Sequence, residues 1–190
     1  TLEKKMTPYS SVNFTPLSPL SFLERNRWVY KDKEAVIYGS QKYTYAEFSD
    51  RIQRCASAFR KAGIESGDRV AYLCPNIPPI LEAHFAVPLL GALLVAINIR
   101  LSPDEIAYIC DHSGAKILVA DTELAAPLSD HKAKFSKIET FVNVIDAQAG
   151  FSETDSVFEG PEYESFINSA ENEAIPWKIG DELTPISINY

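Results

Sequence analysis

Short apolar runs at residues 68–74 (DRVAYLC), 93–97 (LLVAI), 116–120 (KILVA) and 140–145 (TFVNVI) are each separated from the next by a stretch carrying helix-start signals. Strand, helix, strand in this order is the pattern of a parallel α/β sheet, because parallel strands need a crossover between them. The runs are nearly continuous in apolar character rather than alternating, as expected of strands covered on both faces. The predicted fold class is therefore α/β, a mostly parallel sheet with flanking helices.

The helix signals are local and explicit. Thr44 with Glu47 forms a capping box, and Phe48, Ile52, Cys55 and Phe59 recur on one face of the helix that follows. Arg51, Arg54 and Arg60 fall mostly on its other faces, and Gly63 ends it. Pro78 and Pro79 open a second helix that Pro88 should kink or stop near Val87. Ser102-Pro103-Asp104-Glu105 starts a third, which Gly114 stops. Residues 122–134 read as a less regular helix. Upstream, 34–38 and 42–44 read as a hairpin around Gly39-Ser40.

Four stretches are expected: an extended Pro-rich arm at 1–19, an α/β subdomain at 20–146, an acidic loop and linker at 147–184, and the start of a further strand at 185–190. The subdomain should open with a short helix capped by Ser21, with Glu24 completing the box. The acidic stretch should hold a mobile loop at 147–162 and a short helix at 163–169. From residue 150 onward the only basic residue is Lys178, which reads as a solvated acidic surface.

Composition removes several function classes. A net charge of −8 argues against a nucleic-acid partner, since phosphate backbones are bound by basic surfaces. Cys55, Cys74 and Cys110 include no CxxC pair, which points to packing thiols in a reducing compartment and to a cytoplasmic location. The uncharged stretch at 85–99 is shorter than the roughly 20 residues of a membrane helix, so no transmembrane segment is expected. The sequon at Asn13-Phe14-Thr15 reads as coincidence.

The glycines make neither GxGxxG nor GxxxxGK[ST], so no phosphate cradle is legible. His84, His112 and His131 lack metal-ligand spacing, and no metal site is expected. There is no GxSxG nucleophile elbow. By its residues alone the chain reads as an α/β domain without catalytic residues of its own.

A resemblance adds more. Pro19-Leu-Ser-Phe-Leu-Glu-Arg25, Tyr43-Thr-Tyr-Ala-Glu47, Gly67-Asp68-Arg-Val-Ala71, Pro75-Asn76, Glu82-Ala-His-Phe-Ala-Val-Pro88, Gly91-Ala92, Asn98-Ile-Arg100-Leu and Ile117-Leu-Val-Ala-Asp121 follow one another in order. Together they resemble the opening of the adenylate-forming acyl-CoA synthetases, closest to the medium-chain acyl-CoA and benzoate-CoA ligase branch. The resemblance implies a fold like the N-terminal subdomain of those enzymes. It also implies a two-step reaction in which a small carboxylic acid attacks ATP, with Mg²⁺, to give an acyl-adenylate, and CoA then displaces AMP. The phosphate loop and catalytic lysine of the family would lie past Tyr190, so these residues alone should be inactive and bind no cofactor strongly. An open strand edge would then favour self-association.

Arg100 matches a basic family position that contacts a CoA phosphate; the alternative is a surface arginine paired with Asp104. His84 and Phe85 lie in a helix that the family packs near the acyl side, so they are carried over as substrate-pocket residues; the alternative is plain core packing. Two other functions stay open: a complete non-catalytic α/β module that binds a ligand or partner, and an adenylate-forming enzyme that does not use CoA. The acid itself is not legible.

Overall fold

The computed structural model describes residues 16–152, 155–171 and 174–190. The first 15 residues of the expected arm, with the Asn13 sequon, lie outside these. Strands β3 (Arg69–Leu73), β4 (Leu93–Ala96), β5 (Ile117–Asp121), β6 (Thr140–Val144) and β7 (Ser187–Ile188) form one parallel sheet in the order β6-β5-β3-β4-β7. The sheet is thus parallel throughout, as its apolar runs require. A separate antiparallel hairpin joins β1 (Glu34–Tyr38) to β2 (Gln41–Thr44).

Alternate residues of the strands feed two cores. Val70, Tyr72, Leu94, Ile117 and Val119 face α1 (Pro19–Val29), α2 (Tyr45–Lys61), α3 (Pro78–Leu89) and α6 (Tyr163–Ile167). Ala71, Leu73, Val95, Leu118 and Ala120 face α4 (Pro103–Ser113), α5 (Thr122–Ala125) and the 3-10 helix Ala126–Lys134. The period-two alternation of strand side chains therefore builds a helix–sheet–helix sandwich.

The capping boxes at Thr44/Glu47 and Ser102/Glu105 form as read, and Gly114 closes α4 in the left-handed conformation. The first helix begins earlier than expected. Ser18, not Ser21, is its cap, because the Ser18 hydroxyl accepts from Leu20 N at 3.1 Å and Pro19 fills the first helical position. Ser21 instead donates back to the Ser18 carbonyl from within the first turn. Helix α3 runs two residues past Val87, since Pro88 falls in a last turn tightened by bonds from Leu90 to Val87 and from Gly91 to Pro88.

The expected mobile loop at 147–162 is pinned in its second half. Phe158 is buried and stacks on Phe141 at 4.4 Å, and the Asn143 amide donates to the Phe158 and Gly160 carbonyls. Gly160 is required there, because a Cβ would lie 2.0 Å from the Phe141 carbonyl oxygen. The expected linker is docked as well, with Ile175 and Trp177 buried against the first core.

Candidate functional site

In an all-parallel sheet every strand ends on the same edge, and that edge collects helix N-termini and ligands. Here the chain after β5 and β6 is capped by Asp121 and Asp146, and the chain after β4 turns through Asn98, Ile99 and Arg100 to the cap Ser102. The connection from β3 to β4 and that from β5 to β6 run toward opposite outer strands of the sheet, so the switch point lies between β3 and β5.

Arg100 sits in the exposed turn leading to α4, with its backbone N–H held by Asn98 Oδ1 at 3.0 Å. Its guanidinium makes no hydrogen bond or ion pair among the described residues. The Asp104 pairing considered above does not form. Asp104 Oδ1 is held by Lys134 Nζ at 2.5 Å and by His131 Nε2 at 3.2 Å. Those contacts hold the Asp104 carboxyl below its ordinary value, Lys134 being the largest influence. A guanidinium exposed on the strand-end edge of the sheet has the planar fork that can donate bidentately to a phosphate.

His84 is exposed on α3, where its Nδ1 contacts the Ile80 carbonyl at 2.7 Å, so it is not a core histidine. Phe85 is half-buried and packs edge-on against Phe48 at 5.8 Å. Neither lines the two cavities described next. At the strand-end edge, a cleft of about 80 Å³ lies among Tyr38, Tyr43, Ile77, Asp146, Tyr163 and Glu164. It is smaller than the several hundred cubic ångströms of a ligand pocket. The Tyr38 hydroxyl donates to Asp146 there, and this bond pushes the phenol up to about 12. A larger open groove of about 700 Å³ is lined by α1, α2 and the 174–178 segment, with no residue of the sheet.

The described residues include no group of three or more His, Cys, Asp or Glu able to hold a metal ion. No helix among them is long and apolar enough to cross a membrane. The three thiols are buried, and burial pushes Cys55 and Cys110 up to about 12.

Sequence reasoning missed the polar network beneath this edge. Arg51 is buried, not solvated, with its Nε 2.5 Å from Glu82 Oε1, and its other nitrogens reach Glu164 at 2.5 and 2.9 Å. The Tyr163 hydroxyl donates to Glu82 Oε2 at 2.7 Å, and Arg51 lies over the Tyr43 ring. Burial raises the Glu82 carboxyl above its ordinary value, although Arg51 and Tyr163 oppose this. The available signal was Glu82 itself, an acid inside an apolar helix that needs a cation to be buried.

Comparison with known proteins identifies the family. The profile of the family described as "AMP-binding enzyme" matches residues 23–181. A 4-hydroxybutyrate–CoA ligase of Metallosphaera sedula is 34% identical over 177 residues, covering 93% of this chain and 32% of that protein. A peroxisomal benzoate–CoA ligase of Arabidopsis thaliana is 34% identical over 184 residues, covering 94% of this chain and 32% of that protein. The fold matches the crystal structure of an anthranilate–CoA ligase, AuaEII, in complex with anthranoyl-AMP. The TM-score is 0.80 at 21% identity, over 93% of this chain and 32% of that one. The chain thus spans about a third of the length of these relatives.

Proposed function

We propose, on the premise that this chain belongs to the AMP-binding enzyme family, that it is the N-terminal part of an ATP-dependent carboxylic acid–CoA ligase. The reaction is activation of a small acid by ATP, with Mg²⁺, to an acyl-adenylate and pyrophosphate, then thioester formation with CoA and release of AMP. The observation that carries this reading is the family match over residues 23–181, set on a parallel sheet whose strand-end edge presents an unpaired Arg100.

The residues present fit only part of that reaction. The glycines give no triphosphate cradle, and the cleft at the strand-end edge is too small for a nucleotide. The 190 residues alone are therefore proposed to be inactive and to bind no nucleotide strongly. Arg100 fits a CoA phosphate, lying in an exposed turn with no acidic partner among the described residues. His84 and Phe85 are proposed to border the acyl side indirectly, His84 from the surface of α3 and Phe85 by fixing the packing of α3 on α2. An open outer edge on β7 supports self-association of these residues on their own. Buried free thiols suit a reducing compartment, for which we propose the cytoplasm.

The test uses the full-length ligase. Pyrophosphate exchange and thioester formation are measured with ATP, CoA and a panel of short aliphatic, branched and aromatic acids. Acid-dependent exchange followed by CoA thioester supports the reading; exchange without thioester would favour an adenylate-forming enzyme that does not use CoA. Arg100→Ala should raise the KM for CoA about tenfold while leaving acid-dependent pyrophosphate exchange unchanged. An unchanged KM removes the Arg100 assignment but not the ligase reading.

A further inference from the structure

Strands β6 and β7 occupy opposite edges of the sheet, so the chain between them crosses its whole width on the α2 and α3 side. The far end of that crossing is held by very little sheet. β7 pairs only Ser187 with Leu94 and Ile188 with Val95, and Ser187 is exposed. Its approach is gripped from α2 instead. Both polar atoms of the buried Gln53 amide are used by one backbone residue: Nε2 donates to the Ile175 carbonyl at 2.9 Å, and Oε1 accepts from the Ile175 N–H at 2.8 Å. Trp177 is buried two residues on, with Arg27 over its ring. Glu182 then accepts from the Leu17 N–H at 3.0 Å.

We infer that Gln53 is a positioning residue: its paired hydrogen bonds to Ile175 hold residues 174–186 as a strap, and the strap, more than strand pairing, seats β7 against β4. A side-chain amide bonded to both groups of one residue imitates a rung of a β-ladder, fixing height and direction together. Because β7 is parallel to β4, its end lies on the same edge as the Arg100 turn. The clamp therefore sets where the chain arrives at that edge. This holds whichever acid the ligase takes, and does not depend on the reaction.

The test is amide hydrogen exchange on the 190-residue chain and its Gln53→Leu variant, which keeps the bulk and removes both bonds. Exchange at Leu94 N–H, bonded to the Ile186 carbonyl at 3.1 Å, should accelerate roughly tenfold, with central Val119 unchanged. A spectroscopic readout runs beside it. The chain has two tryptophans, and in a Trp28→Phe background only buried Trp177 remains. Adding Gln53→Leu there should raise acrylamide quenching several-fold, and Gln53→Glu, which keeps only the acceptor, should fall between. Unchanged exchange at Leu94, or equal acceleration at Leu94 and Val119, overturns the inference. If the variant does not fold, the unmodified chain decides. Ile175 and Leu94 must then share one opening rate, faster than that of Val119, and separate rates overturn it.

Discussion

Arg51 Nε lies 2.5 Å from Glu82 Oε1, joining α2 to α3 through a carboxylate whose side chain is wholly shielded from solvent. Burying the two charges is costly, and the pair survives because Tyr163 and Glu164 satisfy its remaining donors and acceptors. Glu82→Leu strands a buried guanidinium with only the half-exposed Glu164, and should cost about 3 kcal/mol in urea unfolding. The double variant Arg51→Met/Glu82→Leu should recover most of that loss. A double variant less stable than Glu82→Leu would show that the charges themselves stabilise the core.

Asp68 accepts from Lys116 Nζ at 2.8 Å and from the Glu65 N–H at 2.9 Å. Burial raises its carboxyl, but the bonds outweigh this and hold it below the ordinary value of 3.8. A carboxylate with a depressed folded-state pKa binds fewer protons folded than unfolded. Its stabilisation is complete above 3.8 and fades as pH falls through the folded-state value. Asp68→Asn should lower the melting temperature by a few degrees at pH 7. The gap between variant and parent should close on acidification below that value. A gap that stays constant with pH would assign the effect to geometry rather than charge.

Gly160 has its backbone against Phe141, and an added methyl would meet the carbonyl oxygen at 2.0 Å. Neither partner is the end of a flexible side chain. Gly160→Ala should therefore displace the 158–162 segment and cost about 2 kcal/mol. The measurement is the denaturant midpoint, with near-ultraviolet circular dichroism reporting the Phe158–Phe141 stack.

Arg100 should behave in the opposite way. Its guanidinium has no partner among the described residues and is exposed, so Arg100→Ala should leave stability within about 0.5 kcal/mol. A thermal melt checks this directly. Preserved stability together with a raised KM for CoA would separate a binding role from a structural one.

The sequence by itself determined the fold class, the helix starts at Thr44 and Ser102 and the stop at Gly114. Each of these is written within a few residues, as a continuous apolar run, a hydroxyl three residues before a glutamate, or a glycine free to turn left-handed. Strand order, the burial of Arg51 and the docking of residues 174–186 were decided only by the tertiary structure. Arg51 meets Glu82 across 31 positions, and Gln53 meets Ile175 across 122. Helical periodicity places a side chain on a face. It does not say whether another element will cover that face, because the free energy of burying a polar group depends on a partner that only the folded chain brings near.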